Sequence, residues 1–254
     1  MRIATWNVNS LRSRHERFFS WLERHEPDFL CLQELKLAEE LFPWEDLEKA
    51  GYQAAVAGQK TYNGVAIVSK AAAGQTRKSM DDGVDDPQAR FVAGRFGDLH
   101  VISVYVPNGK TIDSDAYQYK LEWLKRLRTY LDTHHQTSDK ILICGDYNVA
   151  PEEIDVARPD EWNDSVLCHD DARAALRHVE AWGLTDLFRM QKPDDAAYSW
   201  WDYRMLGFPK GNGLRIDHVL GTGAMAESVR DAWIDRDERK GKKPSDHAPV
   251  VVDF

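Results

Sequence analysis

Two polar side chains stand two positions apart where one apolar run of the chain ends. The run 141–144 leads through Gly145 to Asp146, and Asn148 follows. In an extended chain, residues i and i+2 point to the same side, so the Asp146 carboxylate and the Asn148 amide face one place. An ionised acceptor beside a neutral donor suits the orientation of water and the binding of a phosphate oxygen. A simple turn is the alternative, because Gly, Asp and Asn are common after strands.

Two strands near the start of the chain also end in polar groups. Asn7 and Asn9 follow a short strand that begins at Arg2, and Glu34 follows the apolar strand predicted at 28–32. A solvated Glu at a strand end explains Glu34 taken alone. Glu34 and the Asn7 and Asn9 amides all follow strands, and this repeated pattern favours one site formed by several strand ends.

The C-terminal part of the chain adds a carboxylate and a histidine. Asp217 lies in a strand predicted at 213–220, whose charged centre is costly to bury unless the charges are paired. Adjacent Asp246 and His247 precede the last strand, predicted at 250–254. A carboxylate that fixes the imidazole tautomer is a common catalytic arrangement, whereas a single His is more often structural.

These candidate groups are mostly oxygen donors, and no Cys/His spacing fits a zinc site. Hard oxygen ligands suit Mg²⁺, with Mn²⁺ as a substitute, which points to phosphoryl chemistry. The sequence contains no Walker loop, no G-x-S-x-G and no H-E-x-x-H. The simple forms of P-loop NTPases, α/β-hydrolases and zincins are therefore excluded.

Alternating helix and strand patterns predict the elements that position these groups. A helix with an apolar face follows Asn9 and ends before Pro27, and an acidic helical stretch covers 38–49. Residues 149–170 lack periodicity, and we interpret this long loop as a wall of the site. The other predicted elements are strands at 52–56, 64–69, 90–96 and 99–106 and helices at 114–133 and 171–182.

The composition describes a globular chain of 254 residues with 43% hydrophobic content. No linker or repeat marks a boundary, so we predict a single domain, 1–254. Cys31 and Cys144 lie in apolar runs, which suggests buried, reduced thiols. No membrane span or signal peptide is recognisable, and the strand predicted from Arg2 leaves no room for a presequence. We therefore expect a cytoplasmic protein. The formal net charge of −9 argues mildly against a polyanionic partner.

Seven short motifs, in order along the chain, resemble those of the exonuclease III family of abasic-site endonucleases. They belong to the wider endonuclease/exonuclease/phosphatase superfamily, and jointly they are specific although each alone is weak. The motifs are Trp6-Asn7-Val8-Asn9, Leu32-Gln33-Glu34 with Lys36, Asn63-Gly64-Val65-Ala66-Ile67, Tyr105-Val106-Pro107-Asn108-Gly109, Gly145-Asp146-Tyr147-Asn148, Leu214-Arg215-Ile216-Asp217 and Ser245-Asp246-His247.

The resemblance implies an α/β fold of the DNase I type, a four-layered α/β sandwich of two facing mixed β-sheets flanked by helices. It implies metal ligands at Glu34, Asn7 and Asp246. It also implies catalytic roles for Asp146, Asn148, His247, Asp217 and Tyr105. The base is left open among Asp146, Tyr105 and a hydroxide on the metal.

The same resemblance, with the local aromatic and basic residues, indicates the substrate contacts. Trp200 is expected to form one wall of a pocket for the abasic sugar, with Leu214 opposite it. Two positions depart from the family pattern: Leu35 stands where Thr is frequent, and Leu214 stands where some members have Trp. The full set of expected contacts is Asn108, Lys36, Tyr62, Trp200, Leu214 and Arg215.

The predicted function is a metal-dependent DNA-repair phosphodiesterase. It would incise double-stranded DNA 5′ to abasic sites and remove 3′ blocking groups or nucleotides, acting as a monomer without a membrane partner. A superfamily enzyme acting on RNA, lipid or inositol phosphates, and a binding module without catalysis, are the alternatives. We expect the acidic chain to meet phosphates through a basic rim formed by 236–243 with Arg12, Arg14 and Arg17.

Overall fold

The computed structural model describes the backbone of residues 1–254 and every side chain except that of residue 205. Its strands are β1 (Arg2–Asn7), β2 (Phe29–Gln33), β3 (Gln53–Ala57), β4 (Val65–Ser69), β5 (Gln75–Arg77), β6 (Phe91–Phe96), β7 (Leu99–Tyr105), β8 (Lys140–Asp146), β9 (Leu184–Asp186), β10 (Asp217–Thr222), β11 (Asp231–Ile234) and β12 (Val250–Asp253).

The α-helices are α1 (His15–His25), α2 (Trp44–Lys49), α3 (Asp115–His134), α4 (Pro159–Trp162), α5 (Asp170–Glu180), α6 (Leu187–Gln191) and α7 (Gly223–Ala226). Single turns of 3₁₀-helix occupy Arg12–Arg14, Glu39–Leu41, Glu153–Asp155, Arg204–Leu206 and Arg236–Arg239. Among the helices described, none combines the length and the apolar character needed to cross a bilayer.

The strands form two mixed sheets of six strands each. The first has the order β11-β12-β1-β2-β4-β3, and the second has the order β5-β6-β7-β8-β10-β9. In each sheet one central pair is parallel, β1 with β2 and β7 with β8, and the other pairs are antiparallel. Both sheets are therefore mixed, as predicted.

Three apolar clusters stack these sheets and helices into four layers. The central cluster joins the inner faces of both sheets through residues such as Ile67 and Leu142. A second cluster packs α1, through Phe18, on the outer face of the first sheet. A third packs α3 and α5 on the outer face of the second sheet, through Leu127 and Leu176. The predicted four-layered α/β sandwich is confirmed.

The interior of strand β8 is apolar at every position, and not only at alternate positions, because both of its faces are buried. Ile141 and Ile143 face the helices, whereas Leu142 and Cys144 face the other sheet. Because both faces are buried, no position of the strand interior favours a polar side chain. The first polar group comes only where the strand leaves the sandwich, at Asp146.

The predicted element boundaries were wrong in three places. The strand expected at 213–220 begins only at Asp217, because Leu214 instead pairs with Trp200 and Val156 in isolated bridges. The acidic stretch 38–49 is broken at Pro43 into a 3₁₀ turn and α2, and the loop 149–170 contains α4 and a 3₁₀ turn.

Gly145 is required by the spacing of two parallel strands. It lies opposite Val104 of β7, and a Cβ built on it would lie 2.0 Å from the Val104 carbonyl oxygen. No real contact is that short, so any side chain at this position forces β7 and β8 apart. The glycine thus allows Asp146 and Tyr105, the next residues of the two strands, to lie side by side.

We expect Gly145→Ala to destabilise the protein by about 1–3 kcal/mol, the usual range for overpacking a tight interior. The matched control is Gly223→Ala, where an added Cβ meets no described atom within 4 Å. Thermal denaturation of both variants tests the prediction. A melting temperature for Gly145→Ala equal to that of the control would contradict the close approach of the strands.

Candidate active site

Five strand ends bring the polar side chains to one edge of the sandwich. Asn7, Tyr105 and Asp146 are the last residues of β1, β7 and β8, and Glu34 directly follows β2. Because β1 runs parallel to β2 and β7 parallel to β8, the ends of each pair lie at the same edge. Asp217 reaches that edge as the first residue of β10, which is antiparallel to β8 and places it opposite Asp146.

His247 lies between the two buried aspartates. Its Nδ1 is 2.9 Å from Asp217 Oδ2, and its Nε2 is 3.7 Å from Asp146 Oδ2. All three residues are almost fully buried. The Asp217 carboxylate therefore accepts the Nδ1 proton and fixes the ring, so that Nε2 points towards Asp146.

The pKa values of His247 and Asp146 are both shifted from their ordinary values. Burial disfavours a charge on His247, but the carboxylates of Asp217 and Asp146 outweigh it and raise the His247 pKa to about 10. Burial raises the pKa of Asp146 to about 7, with Asp217 adding to the rise and His247 opposing it. At neutral pH the imidazole is thus a cation, while Asp146 is able to exchange a proton.

Asn7 links the two sheets within the site. Its Nδ2 donates to Glu34 Oε1 and to Asp146 Oδ2, each at 2.9 Å, and its Oδ1 accepts from the Asn9 backbone N–H. The amide thus presents its nitrogen to both carboxylates. This geometry makes Asn7 an orienting donor, and its predicted role as a metal ligand stays a prediction.

Among the His, Cys, Asp and Glu residues that the structure describes, three have side-chain ligand atoms that all lie within 4.8 Å of one another. They are Glu34, Asp146 and His247. The raised pKa of His247 makes its ring a cation, which cannot bind a metal. The two carboxylates remain as oxygen donors of the kind that Mg²⁺ prefers. The donor set therefore fits a hard divalent cation.

Asp246, the third predicted ligand, lies beside that group. Its Oδ1 accepts from Asn9 Nδ2 at 2.8 Å and its Oδ2 accepts from Trp200 Nε1 at 3.0 Å. Burial opposes ionisation, but His247 and these two hydrogen bonds hold the pKa of Asp246 below its ordinary value. Asp246 is thus an ionised carboxylate that also anchors the Trp200 ring.

The amides on the second sheet form a connected row. Asn148 Oδ1 accepts from Asn108 Nδ2 at 3.0 Å, and the Asn148 backbone N–H donates to Asp146 Oδ1 at 2.8 Å. Tyr105 lies beside Glu34, and burial with this neighbouring carboxylate raises its pKa well above the usual value. At neutral pH Tyr105 is therefore a neutral phenol and a hydrogen-bond donor.

These groups open onto a cavity of about 670 Å³. Its polar floor contains Glu34, Asp146 and His247, and its wall contains Trp200, Trp162 and Ile216. The Trp162 and Trp200 rings meet edge to face with centroids 5.6 Å apart. The loop 149–170 supplies Trp162 and Val166 to the lining, so it does form a wall of the cavity.

Two predicted substrate contacts are wrong. Leu214 is fully buried in the helix-side core and exchanges backbone hydrogen bonds with Trp200, so it backs the wall instead of facing Trp200 across the cavity. Arg215 is 1% exposed and its guanidinium binds Asp155 and Asp186 at 2.7 and 2.6 Å. Arg215 therefore belongs to a buried ion-pair network and does not line the cavity.

Two other predicted contacts lie at the surface of the site region. Lys36 Nζ is 2.7 Å from Glu34 Oε2 and 2.5 Å from Asn9 Oδ1, at the rim of the carboxylate group. Tyr62 is 68% exposed and is not among the residues that line the cavity. Their roles in binding stay predictions.

Three arginines of the basic rim bind carbonyl or carboxylate groups of the protein itself. Arg14 binds the Asn9 and Pro244 carbonyls, Arg17 binds Glu238 and the Lys242 carbonyl, and Arg239 is buried against the Ser245 carbonyl. These guanidinium groups tie α1 and the β1 end to the segment before His247. The exposed members of the rim are Arg12, Arg236, Lys240, Lys242 and Lys243, and their contact with phosphates stays a prediction.

Several residues that hold the site had little or no signal in the sequence. Ser199 is fully buried and donates to Asp217 Oδ2 at 2.6 Å, while its Oγ accepts the Ile216 and Asp217 backbone N–H groups. No sequence pattern marks this serine. Asn9 had a signal, since it stands at i+2 from Asn7, and Trp162 had only its place in the long loop.

Comparisons with known proteins agree with this geometry. The chain matches the Endonuclease/Exonuclease/phosphatase family over residues 4–247. It is 35% identical to exodeoxyribonuclease III of Haemophilus influenzae over 266 aligned positions, which cover 100% of each chain. An AP endonuclease from Archaeoglobus fulgidus superposes with a TM-score of 0.97 and 40% identity, over 100% of this chain and 99% of that one. The 3′ phosphatase NExo from Neisseria, bound to a product DNA hairpin, has a TM-score of 0.96 and 39% identity with the same coverage.

The charge on His247 gives a direct test of the Asp217 contact. In metal-free protein we expect Asp217→Asn to lower the His247 pKa from about 10, because the variant removes the carboxylate that most favours the imidazolium. NMR titration of the His247 ring measures the shift, and Asp253→Asn, whose carboxylate binds Arg2, is the control. An unchanged titration in Asp217→Asn would mean that the pair does not carry the charge.

The sign of the pH effect on stability follows from the same shift. The folded pKa of His247 lies above its ordinary value of 6.5, so its stabilising contribution is complete below about pH 6.5. That contribution is lost as the pH rises towards 10. We therefore expect the pH dependence of wild-type stability over this interval to flatten in Asp217→Asn.

Proposed function

The chain belongs to the exonuclease III family of the Endonuclease/Exonuclease/phosphatase superfamily and is a DNA-repair nuclease of that type, and on this premise we propose that it incises DNA 5′ to abasic sites and trims blocked 3′ ends with Mg²⁺. The observation that carries the proposal is the buried Asp217–His247–Asp146 arrangement beside Glu34 at the floor of one cavity. The proton acceptor Asp146, the cationic donor His247 and the oxygen ligands for a metal therefore open onto the same cavity.

Glu34 and Asp246 would hold the cation, with Asn7 as the third predicted ligand, which leaves Asp146 to act on the attacking water. The bound ion would supply Lewis acidity towards a phosphate oxygen of the substrate. Lys36 Nζ lies 2.7 Å from Glu34 Oε2 and offsets part of its negative charge.

The chain's own groups supply the proton transfers and the orientation. Asp146, whose pKa is near 7, takes a proton from water as the water oxygen attacks phosphorus and the bond from phosphorus to O3′ breaks. His247 donates its Nε2 proton in a hydrogen bond to a non-bridging oxygen, where negative charge develops. The raised pKa of Tyr105 makes it a phosphate-binding donor, which favours Asp146 over Tyr105 as the base.

The wall of the cavity supports a preference for an abasic sugar. Trp200, Trp162 and Ile216 present a largely apolar surface next to the polar floor. A flipped sugar without a base fits against such a surface, and its extrusion is cheap because it has no pairing partner to lose. Asn108 and Asn148, joined side chain to side chain, would contact the phosphate.

We also propose a single catalytic domain that acts as a monomer on double-stranded DNA in the cytoplasm. Its support is that every group named in the reaction comes from this one chain, and that the two sheets share one apolar cluster. A partner subunit is not needed to complete the site.

Purified protein with Mg²⁺ should cut a duplex at the phosphate 5′ to a single abasic site, and EDTA should abolish the cut until Mg²⁺ or Mn²⁺ is restored. Gel analysis of both labelled strands measures the position and rate of the cut. A matched duplex without the abasic site is the control for general cleavage. Full activity in EDTA would remove the metal from the mechanism.

Glu34→Gln should raise the Mg²⁺ concentration needed for half-maximal rate at least 10-fold, in line with the losses typical of altered metal sites. The substitution keeps the shape of the side chain and removes its charge. Glu23→Gln, on the exposed side of α1, is the matched control. An unaltered Mg²⁺ titration in Glu34→Gln would mean that Glu34 holds no metal.

The variants Trp200→Ala and Trp200→Phe distinguish the role of the Trp200 ring as a cavity wall from the role of its hydrogen bond to Asp246. We expect Ala to reduce abasic-site incision far more than 3′ nucleotide removal, and we expect Phe, which keeps a ring and loses the Nε1 donor, to retain the ratio of the two activities. Both rates and the melting temperature are measured for each variant. A large loss of stability in Ala, about 3–5 kcal/mol, with equal losses of both activities would make Trp200 a core residue instead.

A further inference from the structure

We infer that Lys120 is a positioning residue of the active site, whose buried ammonium group holds together the three segments that carry Asn108, Asn148 and the cavity wall. Lys120 lies on α3, and its side chain is fully buried. It does not line the cavity, and the proposed reaction does not use it.

The ammonium group donates to one carbonyl from each segment. Lys120 Nζ is 2.6 Å from the Asn148 oxygen just beyond β8, and 2.6 Å from the Val166 oxygen in the wall loop. It is 3.2 Å from the Asn108 oxygen in the loop between β7 and α3. These segments are far apart in the sequence, so this one group sets their spacing beneath the cavity.

A lysine is costly to bury here, and its three hydrogen bonds to main-chain carbonyls offset that cost. All its hydrogen bonds go to main-chain carbonyls, and among the described residues no carboxylate forms an ion pair with it. Burial lowers the pKa of Lys120 to about 7, with Asp146 opposing the shift. An apolar side chain of similar length would avoid the desolvation of a charge.

The clamp acts on a residue with an uncommon backbone conformation. Asn148 has a φ of 51°, in the left-handed region that asparagine adopts more readily than most non-glycine residues. Its side chain binds Asn108 Nδ2 and its backbone N–H binds Asp146. A displaced carbonyl at 148 would therefore move both phosphate-contacting amides and a hydrogen bond of the base.

Gly109 shows how closely the loop is fitted to the lysine. It has a φ of 98°, and a Cβ built on it would lie 3.2 Å from Lys120 Cδ and 3.1 Å from the Tyr117 ring. The absence of a side chain lets the loop close over the aliphatic part of Lys120. The Asn108-Gly109 pair of the sequence thus has a steric reason that local turn preference alone does not supply.

This inference rests on the proposed function, and the assay is the cleavage of the abasic duplex. In Lys120→Met we expect kcat to fall about 10–100-fold, the range that follows from small misplacements of reacting groups, while KM changes by less than about 3-fold because Lys120 contacts no DNA. Lys120→Gln, which retains two N–H donors, should lie between Met and wild type. Steady-state kinetics and melting temperature are measured for each.

Leu124→Ala is the matched control, since Leu124 is a fully buried core residue one turn further along α3. It should lower the melting temperature and leave kcat of the folded enzyme near wild type. A Lys120→Met enzyme with wild-type kcat, or equal losses of kcat in Lys120→Met and Leu124→Ala, would overturn the inference. So would failure of both Lys120 variants to fold while Leu124→Ala folds, and an inactive wild type would instead reject the proposed function.

Discussion

Two buried carboxylates, Asp146 and Asp217, stand opposite each other on paired strands, and this arrangement is stable only if positive charge or donated hydrogen bonds compensate it. The His247 imidazolium lies between them, Ser199 donates to Asp217 and Asn7 donates to Asp146. The same compensation has a chemical effect. It gives His247 a raised pKa and a fixed ring, and it leaves Asp146, which burial alone would protonate, with a pKa near neutrality.

A second buried charge network holds the wall of the cavity. Arg215 and Arg189 both bind Asp155, which lies in the long loop after β8, and Arg215 also binds Asp186 at the end of β9. Burial disfavours these charges, but the two arginines hold the pKa of Asp155 below its ordinary value. The loop is therefore fixed to the sheet by charge-assisted hydrogen bonds, although it has little regular structure of its own.

Strained backbone concentrates around the same edge. Asn9, Glu34, Lys36 and Asn148 all have positive φ, and each lies just beyond a strand. Such conformations persist where the surroundings fix them, and here hydrogen bonds among the side chains at these strand ends and the Lys120 clamp do so. The sandwich places the strand ends, and the strained turns then direct the carboxylates and amides inward.

The sequence by itself determined the chemical inventory and the layers. Fully apolar runs that end in Asp, Asn or Glu predicted buried strands with polar groups at their ends, because this pattern depends on neighbours along the chain. The sandwich was implied by the family resemblance that the motif series carries. Only the tertiary structure decided what each charge faces. Arg215 and Leu214 turned inward, three arginines of the basic rim bound carbonyl or carboxylate groups of the protein itself, and Ser199 and Lys120 took part without any local signal. Whether a charged residue meets solvent, a carboxylate or a carbonyl depends on strand register and on segments distant in sequence, which periodicity does not encode.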